Sequence, residues 1–316
     1  MVINYDKNTK MYAGFPKIRK LGATSPGGES TSFVWNGRMM RMELRTDNRE
    51  ADADGRAWVC IRDRETGEII SEFGEGCYFH SLYKEDDTVY VTACVSDRPG
   101  RRAGSTIRMF ESKDLINWTS RDLFTNPGWT YFNTSLTKGP DGYVLLMEAK
   151  DPPEYVGVHF TFFFATSPDL YNWTLMDYNK CFSKDHYMGG PWMHYSRGYY
   201  YVFAVTELLY LRYTNYLYRT KDFETWEVGL YNPILSPSEE DRKLSPMARG
   251  FTPEEIEELK SVMIISSSDI DLCDWPEENK VLINYNLGNQ LGGSFHFLAE
   301  AEVDGSLADF LENNFR

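Results

Sequence analysis

The sequence predicts an all-β fold: a five-bladed β-propeller built of four-stranded antiparallel blades. Two observations carry that expectation. A short element recurs three times at a nearly fixed period, and a hairpin followed by an apolar strand precedes each copy. The copies are Glu111-Ser112-Lys113-Asp114-Leu115-Ile116-Asn117-Trp118, Thr166-Ser167-Pro168-Asp169-Leu170-Tyr171-Asn172-Trp173 and Arg219-Thr220-Lys221-Asp222-Phe223-Glu224-Thr225-Trp226. Each reads S/T-x-D-L/F-x-x-W, with the aspartates 55 and 53 residues apart. The composition agrees. Of 316 residues 15% are aromatic, with 21 Tyr, 19 Phe and 8 Trp, a bias that suits strands.

Taken in order, the first unit begins near Ser30 with the hairpin around Phe33-Val34-Trp35-Asn36-Gly37 and ends around Glu72. The second has Val89–Cys94 after the turn Glu85-Asp86-Asp87, then Ser105–Phe110. The third turns at Gly139-Pro140-Asp141-Gly142 into Tyr143–Ala149, and the fourth turns at Ser196-Arg197-Gly198 into Tyr199–Val205. The fifth begins near Ser268, turns at Pro276–Asn279, and runs through Lys280–Asn286 and His296–Glu302. Runs of β-branched and aromatic residues between Gly, Pro and Asp turns read as strands. The blades are expected at roughly 28–75, 78–122, 130–178, 188–230 and 266–305, within one domain over 1–316. Little helix is expected outside about 252–261, where Thr252-Pro253-Glu254-Glu255 forms a capping box, and about 306–313 behind Ser306.

The charge excludes some partners. Lys and Arg number 33 against 47 Asp and Glu, a net charge of −14. Such a chain repels a phosphate backbone and an anionic membrane surface, and a neutral sugar is unaffected. No stretch of 18 apolar residues occurs, and MVINYDKNTKMY lacks the apolar core of a secretory leader. The five cysteines, Cys60, Cys77, Cys94, Cys181 and Cys273, show no C-x-x-C spacing, so reduced and mostly buried thiols in a cytoplasmic protein are expected. No GxGxxG, P-loop, HExxH or GxSxG motif appears. No cofactor is predicted and no metal ligand set is named, although an axial channel leaves room for a structural metal. Oligomeric state is not legible.

In a propeller blade the start of the first strand and the end of the second meet at one rim. Counting outward from each hairpin turn places Glu29 and Arg45, His80 and Asp97, Asn133 and Glu148, Gly189–Pro191 and Glu207, and Asp269 and Asp271 with Asn286–Gln290 at that rim. Clustered carboxylates repel, so at least one titrates high and can act as an acid. Glu148 ends the apolar run Val144-Leu145-Leu146-Met147, which predicts a desolvated, protonated acid. Asp269, after Ser266-Ser267-Ser268, is expected to stay ionised as a base, and Glu207 to orient substrate or tune the acid. Glu29, Arg45, His80, Asn133, His186 and Asp271 are expected to bind hydroxyls, and Trp192 to stack on a ring. A pair of carboxyls of this kind is what glycoside hydrolysis requires. His159 and His296 read as strand histidines.

The repeated S-x-D-L-x-x-W element, the hairpins and the segment from Gly190-Pro191 to Gly198-Tyr199-Tyr200-Tyr201 resemble the five-bladed propeller glycosidases, glycoside hydrolase family 43 and its family-117-like neighbours. The resemblance spans about residues 25 to 305. It implies an inverting hydrolase with three acidic residues at the mouth: an Asp opening the first blade, an Asp in D-P-x-x-F-x-D-x-D-G, and a Glu in E-G-P. Here Glu29-Ser30 opens the first blade, Asn133-Thr134-Ser135 through Gly142 stands at the second place, and Met188-Gly189-Gly190-Pro191 replaces E-G-P. Phe132–Ser135, Ser268–Cys273, Gly288–Gln290 and Phe297–Ala301 resemble segments of family-43-like glycosidases of gut and soil bacteria. The implied function is a glycoside hydrolase, exo-acting on a short oligosaccharide or glycoside. A glycan-binding propeller without catalysis and a propeller-type glycoside phosphorylase stand as alternatives.

Overall fold

A computed structural model describes residues 17–46, 56–98, 101–157, 160–209, 212–289 and 295–316. His159, Gln290 and the N-terminal stretch read above lie outside the described residues. Twenty strands form five four-stranded sheets in a ring, a five-bladed β-propeller. Blade 1 holds β2 (Ser30–Trp35), β3 (Arg38–Thr46), β4 (Ala57–Asp63) and β5 (Ile69–Phe73). Blade 2 holds β6 (Cys77–Glu85), β7 (Thr88–Val95), β8 (Thr106–Ser112) and β9 (Thr119–Thr125). Blade 3 holds β10 (Thr130–Gly139), β11 (Gly142–Asp151), β12 (Thr161–Ser167) and β13 (Thr174–Leu175), with α1 (Pro153–Val156) between β11 and β12. Blade 4 holds β14 (Met188–Ser196), β15 (Tyr199–Leu209), β16 (Arg212–Thr220) and β17 (Trp226–Val228). Blade 5 holds β18 (Ser266–Trp275), β19 (Lys280–Asn289) and β20 (Phe295–Asp304), and its outer strand is β1 (Arg19–Pro26), paired antiparallel to β20. The unit expected at 266–305 therefore receives its fourth strand from the other end of the sequence. The two expected helices are α2 (Pro253–Ser261), whose capping box at Thr252 and Glu255 is formed in both directions, and α3 (Leu307–Asn313), capped by Ser306.

The repeated element has a local cause. Asp114 Oδ1 accepts the backbone N–H groups of Ile116 (2.9 Å) and Asn117 (2.7 Å). Asp169 does the same for Tyr171 and Asn172, and Asp222 for Glu224 and Thr225. The residue after each Asp, Leu115, Leu170 or Phe223, is buried in the left-handed region at φ 63°, 69° or 60°. Side-chain carboxylates that satisfy two turn amides fix this geometry. The closing tryptophan packs on the blade: Trp118 stacks on Phe73 at 3.8 Å, and Trp226 meets Phe182 edge-on at 4.3 Å. The motif is thus a structural lock on the outer rim and not a site.

A second repetition is visible only in the register. The innermost strands of blades 2 to 5 each carry a one-residue bulge at the same end. The pairing jumps between Tyr78 and Ser81, between Tyr131 and Thr134, between Gly189 and Trp192, and between Ser268 and Asp271. Phe79, Phe132, Gly190 and Asp269 therefore hold equivalent places. Three of them, Phe79 (φ 56°), Gly190 (φ 51°) and Asp269 (φ 48°), are left-handed.

The blades meet through apolar clusters almost everywhere. Between blades 3 and 4, for example, Leu146, Phe162 and Phe164 pack on Met188, Val202, Tyr218 and Phe223. Blades 5 and 1 meet differently. Arg41 of β3 and Arg64 of the β4–β5 turn both bind Glu300 of β20, Arg64 at 2.8 Å. Asn284 Nδ2 donates to Ser32 Oγ at 2.9 Å, and Thr31 Oγ1 to Asp271 at 2.6 Å. Only a small cluster of Met39, Cys273 and Leu282 accompanies them. All five cysteines are unpaired, four of them buried, and no helix among the described residues is long and apolar enough to cross a membrane.

Candidate active site

The bulges bring the chemistry to one end of the axis. A cavity of about 500 Å³ opens there, lined by Glu29, Arg45, Phe79, Arg102, Glu255, Glu258, Asp269 and Asn286 among others. Below it the channel narrows to about 30 Å³ between Glu29, Thr31, His80, Asn133, Gly190, Asp269 and Asp271. It widens again to about 520 Å³ at the other end, around Phe33, Tyr83, Trp192, His194 and Asp274.

Glu148 Oε2 accepts the Gly190 N–H at 2.9 Å and Asn133 Nδ2 at 3.0 Å. The bulge of β10 makes this possible, because it turns Asn133 toward its partner strand. Asp269 Oδ2 accepts from Ser268 Oγ and from Asn286 Nδ2 at 3.3 Å. A Cβ on Gly190 would collide with Asp269 Oδ1, and φ there is +51°, so only glycine lets the carboxylate approach this close to the backbone. Asp271 Oδ2 takes the Thr31 hydroxyl, and the Trp192 indole also donates to Asp271.

Crowded, poorly solvated carboxyls hold their protons. Burial raises Glu29 well above the ordinary glutamate range. Asp269 and then Glu148 push the same way, while Arg102 opposes them. Burial pushes Glu148 up to about 8, against its bonds from Asn133 and Gly190 and with a further push from Asp269. Burial takes Asp271 to about 7 against its Thr31, Leu272 and Trp192 bonds.

The structure thus gathers Glu29, Asn133, Glu148, Asp269 and Asp271, with Arg45 at the mouth 3.6 Å from Glu43. Glu29 and Asp269 face both the mouth and the narrow channel. Glu148 is only 3% exposed and lies behind Asn133 and Gly190, lining none of the three cavities. The other candidates are placed elsewhere. Above the bulge Val205 pairs with Gly189 and Thr206 with Met188, so Glu207 runs past the first strand and pairs with Tyr213 of β16. His186 is exposed, its Nδ1 shared between Asp185 (2.6 Å) and Ser183 (3.0 Å). Trp192 belongs to the opposite cavity, stacked on His194 at 5.6 Å. His80 borders the narrow channel with both ring nitrogens unpartnered among the described residues, and burial takes it down to about 3, so it is neutral.

One residue was not singled out from the sequence. Tyr187 brings its hydroxyl beside Gly189, close to Glu148 and Asp269. A tyrosine in an aromatic-rich strand protein reads as core, and the only signal was the pair of glycines that follows it. Among the described residues no group of three or more His, Cys, Asp or Glu side chains is arranged to hold a metal ion.

No family model and no curated protein matches the chain. Solved structures do. BT0996, solved in complex with RGII, superposes with a TM-score of 0.61 at 12% identity, over 94% of this protein and 95% of that one. A thermostable family-43 glycoside hydrolase gives 0.56 at 13% identity, over 88% and 92%. A xylan β-1,4-xylosidase from Bacillus halodurans gives 0.55 at 12% identity, and the match spans 90% of this protein but only 54% of the xylosidase. At such identities the likeness establishes the fold: this protein is a five-bladed propeller of the architecture that family-43 glycosidases share.

Proposed function

We propose that the protein is a glycoside hydrolase that removes a sugar from a short oligosaccharide or glycoside, with Glu29 and Asp269 as the working pair. The observation that carries this is their placement: two carboxyls on different blades face one cavity, one holding its proton and the other in a polar setting. Glu29 protonates the leaving glycosidic oxygen as the bond to the anomeric carbon breaks. Asp269 takes the proton of the water that attacks that carbon. Glu148, set behind the wall, acts through the Gly190 and Asn133 bonds that hold the wall in place. Arg45, Asn133 and Asn286 offer donors and acceptors to hydroxyls. His80, His186, Glu207 and Trp192 have no place in this step. The similar solved folds include, by name, a glycoside hydrolase, a xylosidase and an RGII complex, which supports a carbohydrate as the substrate class. A phosphorylase is less well supported, because the two arginines at the mouth face Glu29, Glu255, Glu258 and Asp269.

The test is a screen of aryl glycosides and plant oligosaccharides for released sugar. Glu29→Gln and Asp269→Asn should each lower turnover by about 10²–10⁴-fold, and Glu148→Gln by clearly less. Should Glu29→Gln stay within a few-fold of the parent while Glu148→Gln abolishes turnover, Glu148 is the acid. Glycan binding without turnover on any substrate would make the protein a binding propeller.

A further inference from the structure

The glycine at 189 stands where the resemblance to family-43 glycosidases leads one to expect a glutamate, and the structure shows what fills the room. A Cβ built on Gly189 would lie 2.7 Å from Tyr187 Oη and 3.1 Å from Cζ. No side chain fits at 189 while Tyr187 keeps its place. The ring is boxed by Phe160, edge-on at 5.5 Å, and by Tyr213 at 5.3 Å, so the hydroxyl has little freedom to swing away.

The surroundings of that hydroxyl are acidic from several sides. Glu148 of β11, Asp269 of β18, Glu207 of β15 and Tyr213 of β16 are its titratable neighbours. Burial first, and then the neighbouring carboxyls, hold the phenol well above its ordinary value, so it keeps its O–H at working pH. Among the described residues the hydroxyl has no hydrogen-bond partner. Glu148 is half satisfied in a matching way. Among the described residues both of its bonds, from Gly190 and Asn133, fall on Oε2 and not on Oε1. A carboxylate with one oxygen open and a neighbouring phenol that has a proton to give are a complementary pair.

We propose that Tyr187 is a positioning residue of the carboxyl cluster: its hydroxyl, filling the room over Gly189, donates to Glu148 Oε1 through one water and so decides which carboxyl of the cluster carries the proton. A donor on Glu148 favours its ionised form and so lowers its midpoint, and each increment of negative charge on Glu148 raises Glu29, the carboxyl that faces the cavity. The inference rests on the reading of this mouth as a catalytic site, but its first test needs no substrate.

In protein labelled at the glutamate carboxyl carbons, the Glu148 resonance is identified by its loss in Glu148→Gln and followed against pH. Tyr187→Phe keeps the ring and removes only the donor. The Glu148 midpoint should then rise by about half a unit or more and that of Glu29 should fall. Unchanged midpoints for both would overturn the proposal, whatever the activity. A second variant pair tests the packing. Gly189→Ala should lower the melting temperature by about 3 °C or more, and at least half of that loss should be absent in the Tyr187→Phe background. An equal loss in both backgrounds would show that the hydroxyl does not occupy the space over 189. Once a substrate is in hand, Tyr187→Phe should shift the pH profile of kcat with little change in KM, and a profile of unchanged shape would count against the role.

Discussion

The seam between blades 3 and 4 and the seam between blades 5 and 1 join the same kind of sheet at the same radius, but by opposite means. The first is a layer of interlocked apolar side chains such as Leu146, Phe162, Val202 and Phe223. The second is organised by Glu300, fully buried between Arg41 and Arg64, with the Asn284–Ser32 and Asp271–Thr31 bonds beside it. Apolar surfaces adhere with little regard for partner, whereas a buried carboxylate between two guanidiniums accepts one partner arrangement. Removing one member of such a network leaves the others charged and dry. The difference follows the topology. Four seams join blades that follow one another in the sequence, and the fifth must bring Glu300 to Arg41 across 259 residues. It is also the seam from which Asp269 and Asp271 of blade 5 and Glu29, just before blade 1, reach the axis.

The contrast can be broken most severely at Glu300. Glu300→Gln preserves shape but leaves Arg64 without its carboxylate and Arg41 with only Glu43, 3.4 Å away, so urea unfolding should show a loss of about 3 kcal/mol or more. Leu146→Met, an equally conservative change in the apolar seam, should cost less than about 1.5 kcal/mol. Comparable losses in the two would erase the distinction. Within the polar seam, Ser32→Ala strands the buried Asn284 amide and should cost about 1–3 kcal/mol, less than the charged member.

A pH series sharpens the same comparison. Burial works to raise Glu300, but Arg41 and Arg64 outweigh it and hold the carboxyl below its ordinary value. A carboxyl lowered by folding stabilises the protein above its unfolded value, near 4.3, and that stability is lost as pH falls through the folded value. Glu148 has the opposite sign. Its folded value, about 8, lies above the unfolded one, so its stabilising contribution is complete in acid and disappears as pH rises from about 4 to 8. Melting curves should therefore show Glu148→Gln gaining on the parent between pH 5 and 8, and Glu300→Gln converging on the parent below about pH 4. A Glu148→Gln difference that stays flat across pH 5 to 8 would contradict the burial argument.

How much of this was legible in the sequence depended on range. The rim turns were legible, because Asp114, Asp169 and Asp222 act on amides two and three residues away. The hairpins were too, and the counting from them put Asn133 opposite Glu148. At the next blade the β14 bulge consumes one residue, so Met188 is met by Thr206 and Glu207 runs past the first strand. The place of β1 was not legible at all. A strand pattern announces a strand, not the edge it will join. Tyr187 was hidden for another reason: its role comes from the empty space at Gly189, and an absent side chain leaves no motif.

The ring of bulges has a consequence for change over time. Phe79, Phe132, Gly190 and Asp269 occupy one level of the axis in four separate sheets, and each is reached through an insertion that alters only the few residues above it. The strands below keep their pairing to the hairpin. A substitution at this level alters the mouth while leaving the strand pairing below it in register, although Phe79 and Phe132 also touch each other between blades 2 and 3, so the ring is a natural place to begin a library aimed at new substrates. The exception is the stretch Gly189-Gly190, where Tyr187 depends on the missing side chain at 189 and Asp269 on the one at 190, so these positions would have to be varied together.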